Sequence, residues 1–185
     1  MDTADIGLLL DRQIPICATM TYTANIVQHG RDVGVDPNYI EVKKRELDAL
    51  VNAHRKAIEA GVPMMAGSES GFSVTPYGQW HAREVELMVE LLGMKPLQAI
   101  AAGTFNSAKA FGWDRDVGSL QPGRWADLLV RDGYPLPVIR VLGDRKRIAA
   151  VYKGGEPVPL SGTLPTRRRL GHERSLAVSS LPLNR

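Results

Sequence analysis

Hydrophobic positions along this chain change their period several times, and the changes mark its elements. Ile6, Leu8, Leu9 and Leu10 have a helical look, and the short apolar run from Ile14 to Met20 reads as a buried strand. Between Glu41 and Ala60, the residues Leu47, Leu50, Val51, His54, Ala57 and Ile58 recur every three or four positions, which predicts an amphipathic helix. Gly61 and Pro63 end it, and Val62 to Ala66 predicts a second buried strand. After a loop from Ser68 to Gly78, Val85, Met88, Val89 and Leu92 line a helix that stops at Gly93. Pro96 opens the next helix, with Leu97, Ile100, Ala101, Thr104, Ala108 and Phe111 facing inward and Gly112 closing it. Residues 126 to 131 and 148 to 152 then read as short strands among Gly, Pro and Asp turns. Helix and strand in alternation, followed by short strands, predict a parallel α/β unit joined to a small β element.

Composition narrows the class without naming a function. With 185 residues, 44% of them hydrophobic and 23% charged, the chain can build one ordinary core. No apolar run approaches the roughly 20 residues of a membrane span. The acidic start, Met1 to Asp5, lacks the cationic region of a secretory signal, and the single Cys17 excludes an internal disulfide. Both features suit a cytoplasmic protein. The net charge of +3 is uneven, because residues 161 to 185 carry five arginines against the one acid Glu173, leaving the body almost neutral. A neutral body is not a nucleic-acid-binding face, and the aperiodic basic tail is expected to be disordered.

In a parallel α/β sheet, reactive groups gather at the carboxyl ends of the strands. Two such ends are expected here. One supplies Thr19, Thr21 and Tyr22, and the other supplies Ser68, Glu69 and Ser70 with the loop from Phe72 to His81. A carboxylate directly after an apolar strand, between Gly67 and Gly71, is expected to be poorly solvated, which would suit Glu69 as a metal ligand or proton acceptor. From position alone Glu69 could equally cap the following turn.

Three segments carry a family resemblance. Gly61-Val-Pro-Met-Met-Ala-Gly-Ser-Glu-Ser-Gly71 resembles the last barrel strand of the metal-dependent amidohydrolases, in the prolidase-like and imidazolonepropionase-like branch, where Gly-Thr-Asp-Ser-Gly is usual. Residues 93 to 112 resemble the helix that follows in that family. Val117-Gly-Ser-Leu-Gln-Pro-Gly-Arg-Trp-Ala-Asp-Leu-Leu-Val130 is similar to its return into a β-sandwich. The order and spacing of the three make the match specific over roughly residues 1 to 157.

The resemblance implies the C-terminal part of a (β/α)8 barrel. Residues 1–115 would be a partial barrel holding about strands seven and eight, 116–160 a β-sandwich return, and 161–185 the tail. It implies hydrolysis of an amide or other carbon–nitrogen bond by water activated on a divalent metal, zinc foremost, with a small amide, N-acyl amino acid or dipeptide as substrate. Glu69 takes the position of the strand-eight carboxylate, as catalytic base and metal ligand, although the family usually has Asp there. The family's other ligands, His-x-His on strand one and groups on strands four to six, would precede this segment. One copy of the chain alone is therefore expected to hold no closed metal site and to need an N-terminal barrel half or a second copy. The alternative is a noncatalytic chain that associates with a partner.

Tyr22, Tyr77 and His81 are the candidate substrate contacts. His54 is expected in the core or at an interface, His29 in a loop, and His172 lies in the tail. Trp80, Trp113 and Trp125 read as packing residues and Asp127 as structural. Ser68 and Ser70 lack the Gly-x-Ser-x-Gly elbow of a serine nucleophile, and no Gly-rich phosphate loop is present.

Overall fold

A computed structural model describes residues 1–161 except 73 and 79. The expected tail and His172 lie outside the described residues, Ser161 excepted. Among the described residues no helix is long and apolar enough to cross a membrane.

The elements in chain order are α1 (Thr3–Asp11), β1 (Ile16–Cys17), α2 (Thr21–His29), α3 (Pro37–Glu59), β2 (Met64–Met65), α4 (His81–Glu90), α5 (Pro96–Ala102), α6 (Phe105–Ala110), β3 (Leu128–Arg131), β4 (Ile148–Lys153) and β5 (Glu156–Pro157). Strands β1 and β2 pair in parallel, Ile16 opposite Met64 and Cys17 opposite Met65, with α2 and α3 forming the crossover that parallel pairing requires. Strands β3, β4 and β5 form a separate antiparallel sheet. Both parts of the α/β reading are therefore present.

The main core lies between the parallel pair and the helices. Ala18, Met20, Met64, Leu87, Met88, Ala99 and Ala102 are buried there, with Leu47, Val51 and Ile58 of α3 packed against them. Ile139 enters the same core from the connection between β3 and β4. Its neighbour Arg140 pairs with Glu86 and Glu90 of α4 at 3.0 and 2.6 Å, which ties that connection to α4.

Several expectations shift for identifiable reasons. Helix α3 begins at Pro37, before the predicted Glu41, because Asp36 caps the Asn38 amide at 2.7 Å and proline suits the first helical position. Helix α2 was not predicted at all, and His29 is its last residue rather than part of a loop. The single helix expected from Pro96 to Gly112 is two, α5 and α6, broken at Gly103 and Thr104. The break resets the helical phase, so Phe111 is 66% exposed instead of inward, and Leu97, in the first turn of α5, is 64% exposed while Ala99 and Ala102 face the core. The Ala102 carbonyl there accepts both the Ala66 amide just past β2 and the Ser107 hydroxyl, at 3.1 and 2.6 Å. Trp80 is buried as expected, but Trp113 and Trp125 are exposed. Asp127 does serve structure, accepting the Gly154 amide at 2.7 Å.

Gly118 seats the loop leading to β3 against α6. Its φ is 89°, and a Cβ there would come within 2.7 Å of the Ala108 Cβ and 3.1 Å of the Phe105 Cα. Both the left-handed backbone and the close approach select glycine. Gly118→Ala should lower stability by about 1–3 kcal/mol in urea unfolding. An unchanged midpoint would show that the loop carries no load.

His54 is buried in α3, as predicted, and burial holds its imidazole below the ordinary 6.5. The unfolded chain thus binds a proton that the folded chain resists. Stability should be intact above pH 6.5 and fall as pH drops through the lowered folded value. The urea midpoint of wild type should fall relative to that of His54→Phe as pH drops through that window. Parallel curves would contradict this.

Candidate functional site

Because β1 and β2 run parallel, the segments after Cys17 and after Met65 emerge on the same side. Both contain a non-glycine residue with left-handed backbone, Thr19 at φ 51° and Glu69 at φ 50°. Such conformations cost of order 1–3 kcal/mol and persist where the surroundings impose them, often at functional sites. The two segments meet closely at these ends. A Cβ on Gly67 would lie 2.4 Å from the Cys17 Sγ, so a larger residue there would have to turn that thiol aside.

Glu69 is exposed, which corrects the expectation of a poorly solvated carboxylate. The turn around it is closed by other groups. Thr75 Oγ1 donates to the Glu69 carbonyl at 3.3 Å, and the Gly71 amide donates to the Thr75 carbonyl at 2.8 Å. The side chain is therefore not spent as a turn cap.

The other predicted site residues surround the same turn. Tyr77 is 71% exposed, and its hydroxyl lies so close to Gly71 that a Cβ there would stand 2.7 Å from it. Tyr22 packs against Phe72 with ring centroids 5.4 Å apart. Its phenol is pushed up to about 12, by a long 3.4 Å hydrogen bond with Tyr39, then by burial, with the negative charges of Glu69 and Glu46 adding to it. Tyr22 therefore keeps its proton at neutral pH. His81, at the start of α4, is exposed but engaged: its Nδ1 is 2.9 Å from Ser68 Oγ, which is itself 2.7 Å from Ser70 Oγ.

A serine beside a histidine invites comparison with a nucleophile and its base. Ser68, however, is only 7% exposed and already bonded on two sides, in a segment without the strained elbow of that chemistry. The small cavity beside it, about 150 Å³ and lined by Gly67, Ser68, His81, Val85 and Gly103, has room for a few waters. A larger cavity of about 460 Å³, lined in part by Pro15, Pro63 and Phe105, lies at the opposite ends of the strands.

Sequence reasoning missed Glu84. Its side chain is fully buried in the first turn of α4 and accepts the Met20 amide at 2.9 Å, the Thr21 amide at 2.8 Å and the Thr21 hydroxyl at 2.5 Å. It thereby caps α2 from a distant element, where a carboxylate also complements the helix dipole. Burial pushes its carboxyl above the ordinary 4.5, against the lowering effect of those hydrogen bonds. The available signal was a charge on the same stripe as Leu87 and Met88. Tyr39 and Lys43 were missed as well. The Lys43 ammonium lies 5.3 Å from the Tyr22 ring centre and 5.5 Å from that of Tyr39, and it pairs with Glu46 at 2.7 Å.

Among the described residues no three His, Cys, Asp or Glu side chains come together as a metal ion would need. Glu69 offers one carboxylate, and one nitrogen of His81 is already engaged by Ser68. The donors among the described residues do not by themselves fit a closed metal site.

Over 116 residues the chain is 35% identical to ochratoxinase from Aspergillus niger, covering 60% of this chain and 23% of that protein. Over 112 residues it is 32% identical to imidazolonepropionase from Geobacillus kaustophilus, covering 58% of this chain and 25% of that one. The chain thus spans about a quarter of the length of these curated relatives. The crystal structure of A. niger ochratoxinase superimposes with a TM-score of 0.71 at 29% identity, over 84% of this chain and 35% of that one. A Xaa-Pro dipeptidase with bound methionine gives the same TM-score at 24% identity, over 85% and 37%, a likeness of fold alone. Residues 7–158 match the amidohydrolase family, a span that takes in both strand-end turns and the antiparallel sheet, and the chain belongs to that family.

Proposed function

We propose that this chain is the C-terminal part of an amidohydrolase that cleaves an amide or related carbon–nitrogen bond with water, and that Glu69 is its proton-accepting carboxylate. On this reading β1 and β2 are strands seven and eight of a (β/α)8 barrel, and the remaining barrel strands, with the other polar groups of the site, lie outside the chain. The observation that carries the proposal is the placing of Glu69 in a left-handed turn at the carboxyl end of β2, beside the matching turn at Thr19. An exposed carboxylate there can take the proton of an attacking water. Tyr22, which keeps its proton, can donate to a substrate oxygen, and Tyr77 flanks the same turn. The substrate class proposed is a small amide, an N-acyl amino acid or a dipeptide.

A second reading, a noncatalytic chain that binds a partner, is favoured by the parallel sheet having two strands, since parallel sheets are normally covered and extended. One experiment separates the two. The purified chain is assayed with N-acyl amino acids and dipeptides, alone and after co-expression with a complementary N-terminal barrel segment, with metal content measured in each. Turnover and bound metal in the pair alone are expected. Turnover by the isolated chain would contradict the incomplete site, and a soluble complex without turnover would favour the second reading.

A further inference from the structure

The first turn of α4 touches both strand-end segments at once. His81 reaches the segment after β2 through the chain of bonds to Ser68 and Ser70, the two residues that flank Glu69. Glu84, in the same turn, holds the segment after β1 through Met20 and Thr21, the two residues that follow Thr19. Helix α4 is in turn anchored by the buried Leu87 and Met88. The left-handed turns at Thr19 and Glu69 are thus each gripped by the same rigid element.

We propose that Ser68 and His81 are positioning residues for Glu69: the Ser70–Ser68–His81 hydrogen-bond chain holds the Glu69 turn to the first turn of α4, so that the carboxylate keeps one place at the mouth of the parallel strands. The inference rests on the hydrolase reading for its catalytic consequence, but not for the clamp itself. A free loop could relax its left-handed residue into an ordinary conformation. The Ser68 bond to His81 opposes this, because Ser68 is buried and its hydroxyl would lose its partners on release. An ångström of misplacement at a reacting group can cost about a hundredfold in rate, so a bond that never touches substrate has a catalytic effect.

The clamp is tested in the chain alone by amide hydrogen exchange. Ser68→Ala and His81→Ala should each speed exchange at Gly71, whose amide closes the turn, while amides of α3 stay protected. His81→Asn, which can place a side-chain nitrogen near the Nδ1 position, should restore protection. In the reconstituted pair both alanine variants should lower kcat about 10- to 100-fold with little change in KM. The double variant should lose no more than either single one, because both act through one bond. Unchanged Gly71 exchange would overturn the clamp. A raised KM in His81→Ala with Ser68→Ala unaffected would overturn positioning in favour of direct substrate contact. An inactive wild-type pair with faster exchange in the variants would instead sink the hydrolase reading and leave the clamp standing.

Discussion

Glu84→Ala is expected to lower the stability of the chain by about 3 kcal/mol, a large share of the roughly 5–15 kcal/mol typical of a domain. The substitution leaves two backbone amides and one hydroxyl buried without an acceptor and opens a void beside Leu87 and Met88. Glu84→Gln keeps one acceptor oxygen but turns an amide donor toward other donors, and should cost less. The pH dependence gives a second readout that survives a poorly folding alanine variant. The folded chain holds the Glu84 proton more tightly than the unfolded chain, whose carboxyl has the ordinary value of 4.5. Between that value and the raised folded one, the folded state binds more protons, so stability falls as pH rises. Glu86, also raised by burial, contributes with the same sign, so the comparison must be wild type against Glu84→Gln. Urea midpoints of the two should draw together as pH rises through the window. Equal midpoints for wild type and Glu84→Ala would refute the capping role.

Glu69→Ala, in the reconstituted pair, should reduce kcat at least about 100-fold, the lower bound for losing a positioned general base. Glu69→Gln should match it, because an amide cannot take the proton. Glu69→Asp retracts the carboxylate by one methylene and should fall between, by about 10- to 100-fold. None of these should unfold the chain, since the side chain is exposed and the turn is closed by Thr75 and Gly71. Glu69→Gly is more telling. Glycine adopts a φ of 50° without the Cβ penalty, so this variant should be as stable as wild type or more so, by up to about 1 kcal/mol, while losing activity. Strain retained for a carboxylate at that place would then be directly visible. Full activity in Glu69→Ala would remove Glu69 from the mechanism.

How much of this was legible varies with the range of the forces involved. Helix α3 could be read because its inward stripe recurs over many turns, and only its first turn was missed, where a local Asp-Pro cap did contain the signal. Strands β1 and β2 were readable as apolar runs, though their two-residue paired cores are shorter than the runs themselves. Helix α2 was not readable. Thr21, Thr23 and Asn25 are weak helix formers, and the acceptor for its first amides is Glu84, more than sixty residues away. The split between α5 and α6 was hidden for a similar reason, since the Ala102 carbonyl at the break is taken by Ala66 of the strand-end segment and by Ser107 across it.

The sequence by itself determined the long helix α3, the two buried strands on either side of it, the glycines that end the elements it could read, the three family segments and the place of Glu69 after an apolar strand. Those properties depend on neighbours in the chain and on period, which a linear reading contains. Only the tertiary structure decided that Thr19 and Glu69 adopt the same left-handed backbone at adjacent strand ends, that Glu69 is exposed, and that the first turn of α4 binds both segments. Buried hydrogen bonds link partners by position in space, and a carboxylate such as Glu84 gains its role from donors that the chain delivers from far away.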